Sequence, residues 1–480
     1  MKLNVRIGVV ITAAALALAI TACASSSTWT GPVTTIRIGH HYPVEQATFS
    51  DNTADMSRIA RLEMSARRYA EKEVMNKLGV KIEWVQYSDL KEELRNGAAD
   101  GGAFDLVRIV GAQQGELLGL KLLQAIDDYQ NVFADTDSSW IFWPKVFGHN
   151  YFLNMVLRAG PDAPLVYNIT MLEKVPALKE NGKTVLPVHL WKQGKWTWSA
   201  FEDYLQKVHD HWTAEWDGRI AYDADVRNAV LLALYANGAG VLNDKGLQFD
   251  TEEAKAAVAF IDRLMAKRLL RNPDIKEGTS EQDGIMDIWR FQWGHSVFGN
   301  LQQWLSQDMV GAFNERREKM GIVPFPRPDW LDANDPAYQQ ANDARDCYAV
   351  PAGVSADKVD LALKAFKEYT LSFYKNLANS DKALDFLQGD GAKVSAQKMF
   401  IDISSKDYGA EMLEVWKFMG SQPQINEYAK NAGLWNYWGS TILSDSLYQV
   451  NGASAYDTWA DEKLPRAQEL LDQIQEALDN

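Results

Sequence analysis

The sequence predicts an α/β chain built on parallel strands, and three observations predict it. Between Thr35 and Val110, segments of alternating apolar residues exchange with segments of helical spacing. That strand–helix–strand–helix–strand order implies parallel pairing through right-handed crossovers. The 480 residues are enough for two domains, or one large one, with sizeable cores. The composition, 46% hydrophobic and 24% charged, is that of a globular protein and excludes a disordered or fibrous one.

At the amino terminus Lys2 and Arg6 precede an uncharged, apolar run from Ile7 to Ile20. The run is too short to span a bilayer comfortably and fits the apolar core of an export signal, which predicts a signal peptide over 1–22. Ile20-Thr21-Ala22-Cys23 resembles the bacterial lipobox, which implies cleavage before Cys23 and lipidation of its thiol and new amine. An ordinary signal peptide with a cysteine near its cleavage site is the plainer alternative. The Ser-rich stretch that opens the tether, 23–32, favours lipidation. Removing 22 of 480 residues leaves 458, and losing Lys2 and Arg6 takes the formal charge from −15 to −17. Cys347 is then the one remaining thiol, so no internal disulfide is expected.

The elements follow in order. Thr35-Ile36-Arg37-Ile38-Gly39 alternates as a strand. Met56 to Leu78 has helical spacing through Ile59, Leu62, Ala66, Tyr69, Ala70 and Val74, and Gly79 reads as its stop. Val80 to Val85 is a second strand, Leu90 to Ala99 a short helix and Phe104 to Val110 a third strand. In such sheets ligands sit beyond the carboxyl ends of strands, which selects the loops at His40-His41-Tyr42 and Gly111-Ala112-Gln113. Farther on, Ser199 and Glu202 fit a capping box that opens a helix buried through Phe201, Tyr204, Leu205 and Val208. Asp250 with Glu253 opens another, buried through Ala257, Val258, Ile261, Leu264 and Met265. Met320 to Pro326 and Cys347 to Pro351 read as strands, Ser355 to Leu377 as a long helix, and Leu464 to Leu478 as amphipathic.

Several of these stretches carry a resemblance. Phe104-Asp105-Leu106-Val107 with Leu122-Leu123-Gln124-Ala125-Ile126-Asp127-Asp128-Tyr129, Leu165-Val166-Tyr167-Asn168, Trp196-Thr197-Trp198-Ser199-Ala200-Phe201, Gly321-Ile322-Val323-Pro324-Phe325-Pro326 and Tyr348-Ala349-Val350-Pro351 occur in this order. Together with the lipobox they resemble the bacterial ABC-transporter solute-binding lipoproteins of extracellular family 1, the sugar-binding type. The resemblance implies a two-lobe periplasmic-binding-protein-like fold, each lobe a mainly parallel sheet flanked by helices, joined by crossing hinge strands. It places 33–155 and 323–377 in lobe one, 156–322 and 378–480 in lobe two. It implies a monomer, lipid-anchored on the extracellular or periplasmic side of the cell membrane, that hands its solute to ABC permease subunits. Some relatives carry a calcium loop after the Thr-Trp helix. The stretch His209 to Gly218 lacks its alternating oxygen ligands, so calcium is not carried over.

The residues bear on the ligand directly. A net charge of −15 without a block of basic residues excludes a nucleic-acid backbone binder. The chain holds 17 Trp beside 18 Tyr and 18 Phe, more Trp than a core alone selects. Sugar faces pack on aromatic planes while their hydroxyls need polar partners. Trp140 to Trp143, Trp289 to Trp304, Gly433 to Gly439 and the His40-His41-Tyr42 loop offer both. The expected ligand contacts are Tyr42, Gln113, Trp143, Trp289, Trp293, Trp304, Trp435 and Trp438, while Trp84, Trp196 and Trp198 are expected to pack. Neither His40-His41 nor His209 with His211 is spaced for joint metal ligation, and Gly182-Lys183-Thr184 lacks the rest of a P-loop. Gly294-His295-Ser296 lacks the closing glycine of a nucleophile elbow. No metal, cofactor or enzymatic activity is expected. A carbohydrate, an oligosaccharide by preference, is the expected ligand. A sensory lipoprotein without transport, and a peptide or other non-sugar solute, are the alternatives.

Overall fold

The structure is a computed structural model. It describes residues 29–41, 58–97, 102–109, 113–136, 141–155 (without 142, 144 and 147), 165–215, 220–271 (without 225, 241, 244, 245 and 249), 287–300, 312–340 (without 314), 347–380, 409–421 and 452–479.

The first sheet starts where the alternating pattern starts. Strand β1 (Thr34–His40) leads to helix α1 (Arg58–Leu78), strand β2 (Val80–Gln86), helix α2 (Leu90–Gly97), strand β3 (Leu106–Ile109), helix α3 (Gln114–Gly119), and the short strands β4 (Leu123–Gln124) and β5 (Phe152–Leu153). Gly79 stops α1 at φ +63°, and the Trp29 indole lies where its Cβ would be, so no larger residue fits. β1 pairs in parallel with β2 from Thr34↔Val80 to His40↔Gln86, and with β3 on its other side.

The second sheet comes from the middle of the chain: β6 (Leu165–Asn168), helix α4 (Trp198–Glu215), β7 (Ile220–Asp223), helices α5 (Val226–Ala236), α6 (Glu252–Ala266) and α7 (Asp287–Gln292), then β8 (Ser296–Asn300) and β9 (Met320–Val323). The order across it is β7-β8-β6-β9. The chain then returns to the first sheet as β10 (Cys347–Pro351), between β3 and β4 and also paired with β5. Helices α8 (Ala356–Ser380), α9 (Gly409–Ser421) and α10 (Gly452–Asp479) follow, and shorter strands and helical turns lie between the elements named here.

One strand in each sheet runs against the rest, and in each it is the strand by which the chain arrives from the other sheet. β6 is antiparallel to β8 and β9; β10 is antiparallel to β3, β4 and β5. The ends where the chain crosses, marked by Met155 and Cys347 on one side and Leu165 and Val323 on the other, therefore coincide with the carboxyl ends of the parallel strands. Each sheet turns its ligand-prone end toward the other lobe.

Two cores hold this arrangement. Ile36, Ile38, Val80, Ile82, Trp84 and Leu106 of the first sheet pack with Val74 of α1 and Val359, Leu363 and Phe366 of α8. On the second sheet Phe201 and Tyr204 of α4 meet Tyr222 and Phe298 edge to face. Gly321 is held to glycine because the Tyr167 ring lies 2.4 Å from where a Cβ would stand. The apolar face of α10, through Ala467, Leu471 and Ile474, joins the same core as Leu117 and Leu118 of α3. α10 packs on α3 of the first lobe and on α6 of the second.

Two helix starts differ from the expected ones. α4 is capped by Thr197, whose Oγ1 accepts from the Ala200 amide, because Ser199 is drawn to Asp329 and Glu202 to Arg263 and Lys267. α6 is capped by Thr251, whose hydroxyl accepts from the Ala254 amide, one residue after Asp250. The strand expected over 320–326 ends at Val323, and the following segment to Gln340 stays bonded to the second lobe through Trp196, Trp198 and Tyr235.

Candidate ligand site between the two sheets

On the first lobe the site begins with the last residue of β1. His40 is buried, and its Nε2 lies 3.1 Å from Nη1 of Arg108 on β3. A guanidinium only donates, so Nε2 accepts and the imidazole proton sits on Nδ1. Burial first, then the positive charges of Arg108, His41 and Arg67, push the His40 pKa down to about 3. The ring is thus neutral through the physiological range. His41 has left the strand, so its ring lies parallel to that of His40 at 5.4 Å rather than across the sheet. Tyr87, just beyond β2, donates its hydroxyl to the Arg108 carbonyl at 2.7 Å. Trp84 meets His40 edge to face and donates its indole N–H to Glu71 at 2.9 Å.

Beyond β3 come Gln113 and Gln114. Gln114 is completely buried. Its amide nitrogen and oxygen, and Oε1 of Gln113, have no hydrogen-bond partner among the described residues. Buried polar atoms in folded proteins are almost always paired, and leaving one unpaired costs about 1–3 kcal/mol. Three such atoms on consecutive residues past a parallel strand are groups whose hydrogen bonds a polar ligand can supply.

The second lobe answers with a similar set. Asp223 ends β7 and accepts both Nε and Nη2 of Arg290 on α7, the latter at 3.2 Å; both side chains are buried. The fork-to-carboxylate geometry neutralises both charges. Asn300 ends β8. Its Oδ1 accepts from the Tyr222 hydroxyl at 2.8 Å, and its buried Nδ2 has no partner among the described residues. With Asp223 neutralised, Asn300 presents an uncharged donor from the second lobe. The arrangement suits hydroxyl-rich groups, which both donate and accept.

The expected contact residues fall in different places. Gln113 belongs to the set just described. Trp143 is half-buried against the first core, edge to face with Phe133 at 5.1 Å, and its buried Nε1 has no partner among the described residues. Trp293 is 48% exposed and precedes β8, at the end of the second sheet away from the crossings. Trp289 lies on α7, but its side chain is outside the described residues, as are Tyr42, Trp304, Trp435, Trp438 and Cys23. Trp84, Trp196 and Trp198 are buried, as their patterned positions indicated. Gln114 and Arg108 had one signal in the sequence, their position at or just past the carboxyl end of the strand expected over Phe104 to Val110, and Asn300 had none, since no strand is expected over 296–300.

No protein-family model and no curated protein matches the chain. Solved structures do. UgpB from Mycobacterium tuberculosis, in complex with glycerophosphocholine, superposes with a TM-score of 0.56 at 15% identity over 93% of this chain and 99% of its own. The GacH receptor of Streptomyces glaucescens GLA.O, unliganded and in complex with acarbose and an acarbose homolog, gives 0.53 at 15% identity over 94% and 100%. Coverage of more than nine-tenths of this chain and nearly all of each of theirs shows that this chain has their two-lobe, periplasmic-binding-protein-like fold.

Proposed function

We propose that this chain is an extracytoplasmic solute-binding protein that captures a carbohydrate between its lobes and delivers it to an ABC permease, without turning it over. The observation that carries the proposal is a set of buried amide groups without a partner among the described residues, Gln113 and Gln114 on one lobe and Asn300 on the other, each at the end of its sheet where the chain crosses between lobes. Sugar hydroxyls satisfy both the donors and the acceptors of such a set. The two similar structures hold glycerophosphocholine and acarbose, ligands rich in oxygen functions. The export signal and the lipobox at Cys23 support a membrane anchor on the outer side of the cell membrane. Closure of the lobes over the ligand would then signal the loaded state to the permease.

The test is a thermal-shift screen against maltotriose, cellotriose, acarbose, glycerophosphocholine and a tripeptide. Binding to the folded state alone adds about 2.7 kcal/mol at a hundredfold excess over Kd, a shift that is easily read. Stabilisation by a saccharide is the expected result. Stabilisation by the peptide alone would overturn the carbohydrate reading, and turnover of a bound glycan would overturn the binding-only one.

A further inference from the structure

The segment from Arg327 to Leu331 is fastened at many points yet ends in an exposed indole. Trp330 is 62% exposed, the most of any large hydrophobic side chain among the described residues. Its loop does not move freely. The Arg327 guanidinium donates to the carbonyls of Leu331 and, at 2.6 Å, Gly194; the Arg327 carbonyl accepts the Trp198 amide at 2.8 Å. Asp329 accepts the amide of Ser199 at 3.2 Å and its hydroxyl as well. Trp330 itself stands edge to face on Trp198 at 5.3 Å and 84°. Trp198 in turn lies flat on Phe260 of α6, 4.6 Å away and 2° from parallel. An exposed loop of this kind ordinarily carries small, mobile, polar residues. Here the aromatic is pre-positioned, which is how recognition sites limit the ordering cost of binding.

The location adds to this. Trp198 opens α4, whose far end feeds β7, so the start of α4 lies at the carboxyl end of β7, the end that faces the first lobe. The segment that carries Trp330 leaves β9 at that same end, with the Trp196 indole donating to the Pro324 carbonyl at 2.9 Å. Trp198 is 3% exposed, and its Nε1 has no partner among the described residues. An exposed indole face and a buried, unanswered N–H donor therefore stand side by side.

We propose that Trp330, braced edge to face on the buried Trp198, forms a stacking subsite at the rim of the cleft, which takes a pyranose ring of the captured carbohydrate. The inference rests on the carbohydrate reading above and extends the ligand beyond the amide set to a second ring. The surroundings favour a sugar over a protein partner. Asp329, Asp332 and Asn334, neighbours of Trp330 along the chain, are exposed, and Asp335 is half-buried. Protein hot spots sit within a rim that excludes water. A pyranose instead needs an aromatic plane for its C–H face and polar groups for its hydroxyls.

The experiment titrates wild type, Trp330→Ala and Trp330→Phe with maltotriose, cellotriose and acarbose by calorimetry, and follows iodide quenching of tryptophan fluorescence with and without saturating saccharide. Trp330→Ala is expected to bind about five- to tenfold more weakly, while Trp330→Phe stays within about threefold of wild type. Saccharide is expected to shield one iodide-accessible tryptophan in wild type and none in Trp330→Ala. Equal affinity and equal shielding in wild type and Trp330→Ala would overturn the subsite while leaving the carbohydrate reading in place. Failure of wild type to bind any of the three saccharides would overturn both.

Discussion

Gln114→Met isolates the central argument about the site. Gln114 is completely buried, with neither end of its amide partnered among the described residues. Methionine has similar length and volume and no hydrogen-bonding group, so it removes the unmet demand without opening a cavity. An unsatisfied buried polar group costs about 1–3 kcal/mol, so the unliganded variant is expected to be more stable than wild type by about that amount. At roughly 2.1 cal/mol/K per residue the melting entropy of a chain this long is about 1 kcal/mol/K, which makes the expected rise in Tm about 1–3 °C. The ligand should suffer in the opposite sense. Each lost hydrogen bond of about 1.4 kcal/mol weakens binding about tenfold. The assay is urea unfolding of both proteins without ligand, followed by calorimetric titration with the saccharide that stabilises wild type. A loss of unliganded stability greater than about 1 kcal/mol would show that the amide is already satisfied, and the site would lose its chief support.

Further outcomes follow from other residues. Arg290→Met removes the guanidinium that neutralises the buried Asp223 and is expected to cost about 3–5 kcal/mol in urea unfolding, while adding Asp223→Leu restores most of the loss. His40 has a folded pKa well below its unfolded value, so its contribution to stability is complete above about pH 6.5 and is lost as the pH falls toward the folded value of about 3. Between pH 7 and pH 5 this group alone is expected to remove about 1–2 kcal/mol, a slope that His40→Gln flattens in unfolding measured at each pH. Trp293→Ala is expected to leave saccharide affinity within about twofold of wild type, because Trp293 stands at the end of the second sheet away from the crossings. A tenfold loss would move the ligand site to that end.

The sequence was most legible where periodicity and punctuation agreed. Alternation in Thr34–His40 and Val80–Gln86, helical spacing through Val74 and a glycine at position 79 sufficed for the first lobe's strand and helix order. Buried aromatics at patterned positions, such as Trp196 and Phe201, were equally readable. The caps were less so, because a cap depends on what competes for its side chain. Ser199 looks like the start of α4 until Asp329, distant in sequence, claims its amide and hydroxyl. The candidate site is marked in the sequence by topology, at the loop ending at Gln113, more than by residue type. Tryptophan drew attention to Trp293, whereas the unpaired atoms belong to Gln114 and Asn300, whose burial no local pattern announces.

The placement of α10 bears on how the chain comes to be folded at all. Ile474 lies against Gly119, and Ala467, Leu471 and Ile474 fill the core around Leu117 and Leu118, so two segments near opposite ends of the chain complete one another. A ribosome makes α3 long before α10. Until α10 is synthesised, the core around α3 lacks Ala467, Leu471 and Ile474, and contacts of such long sequence separation form late. That late docking ties α3 of the first lobe to α6 of the second, so the packing that holds the two lobes to one helix is expected to complete only after both sheets have formed.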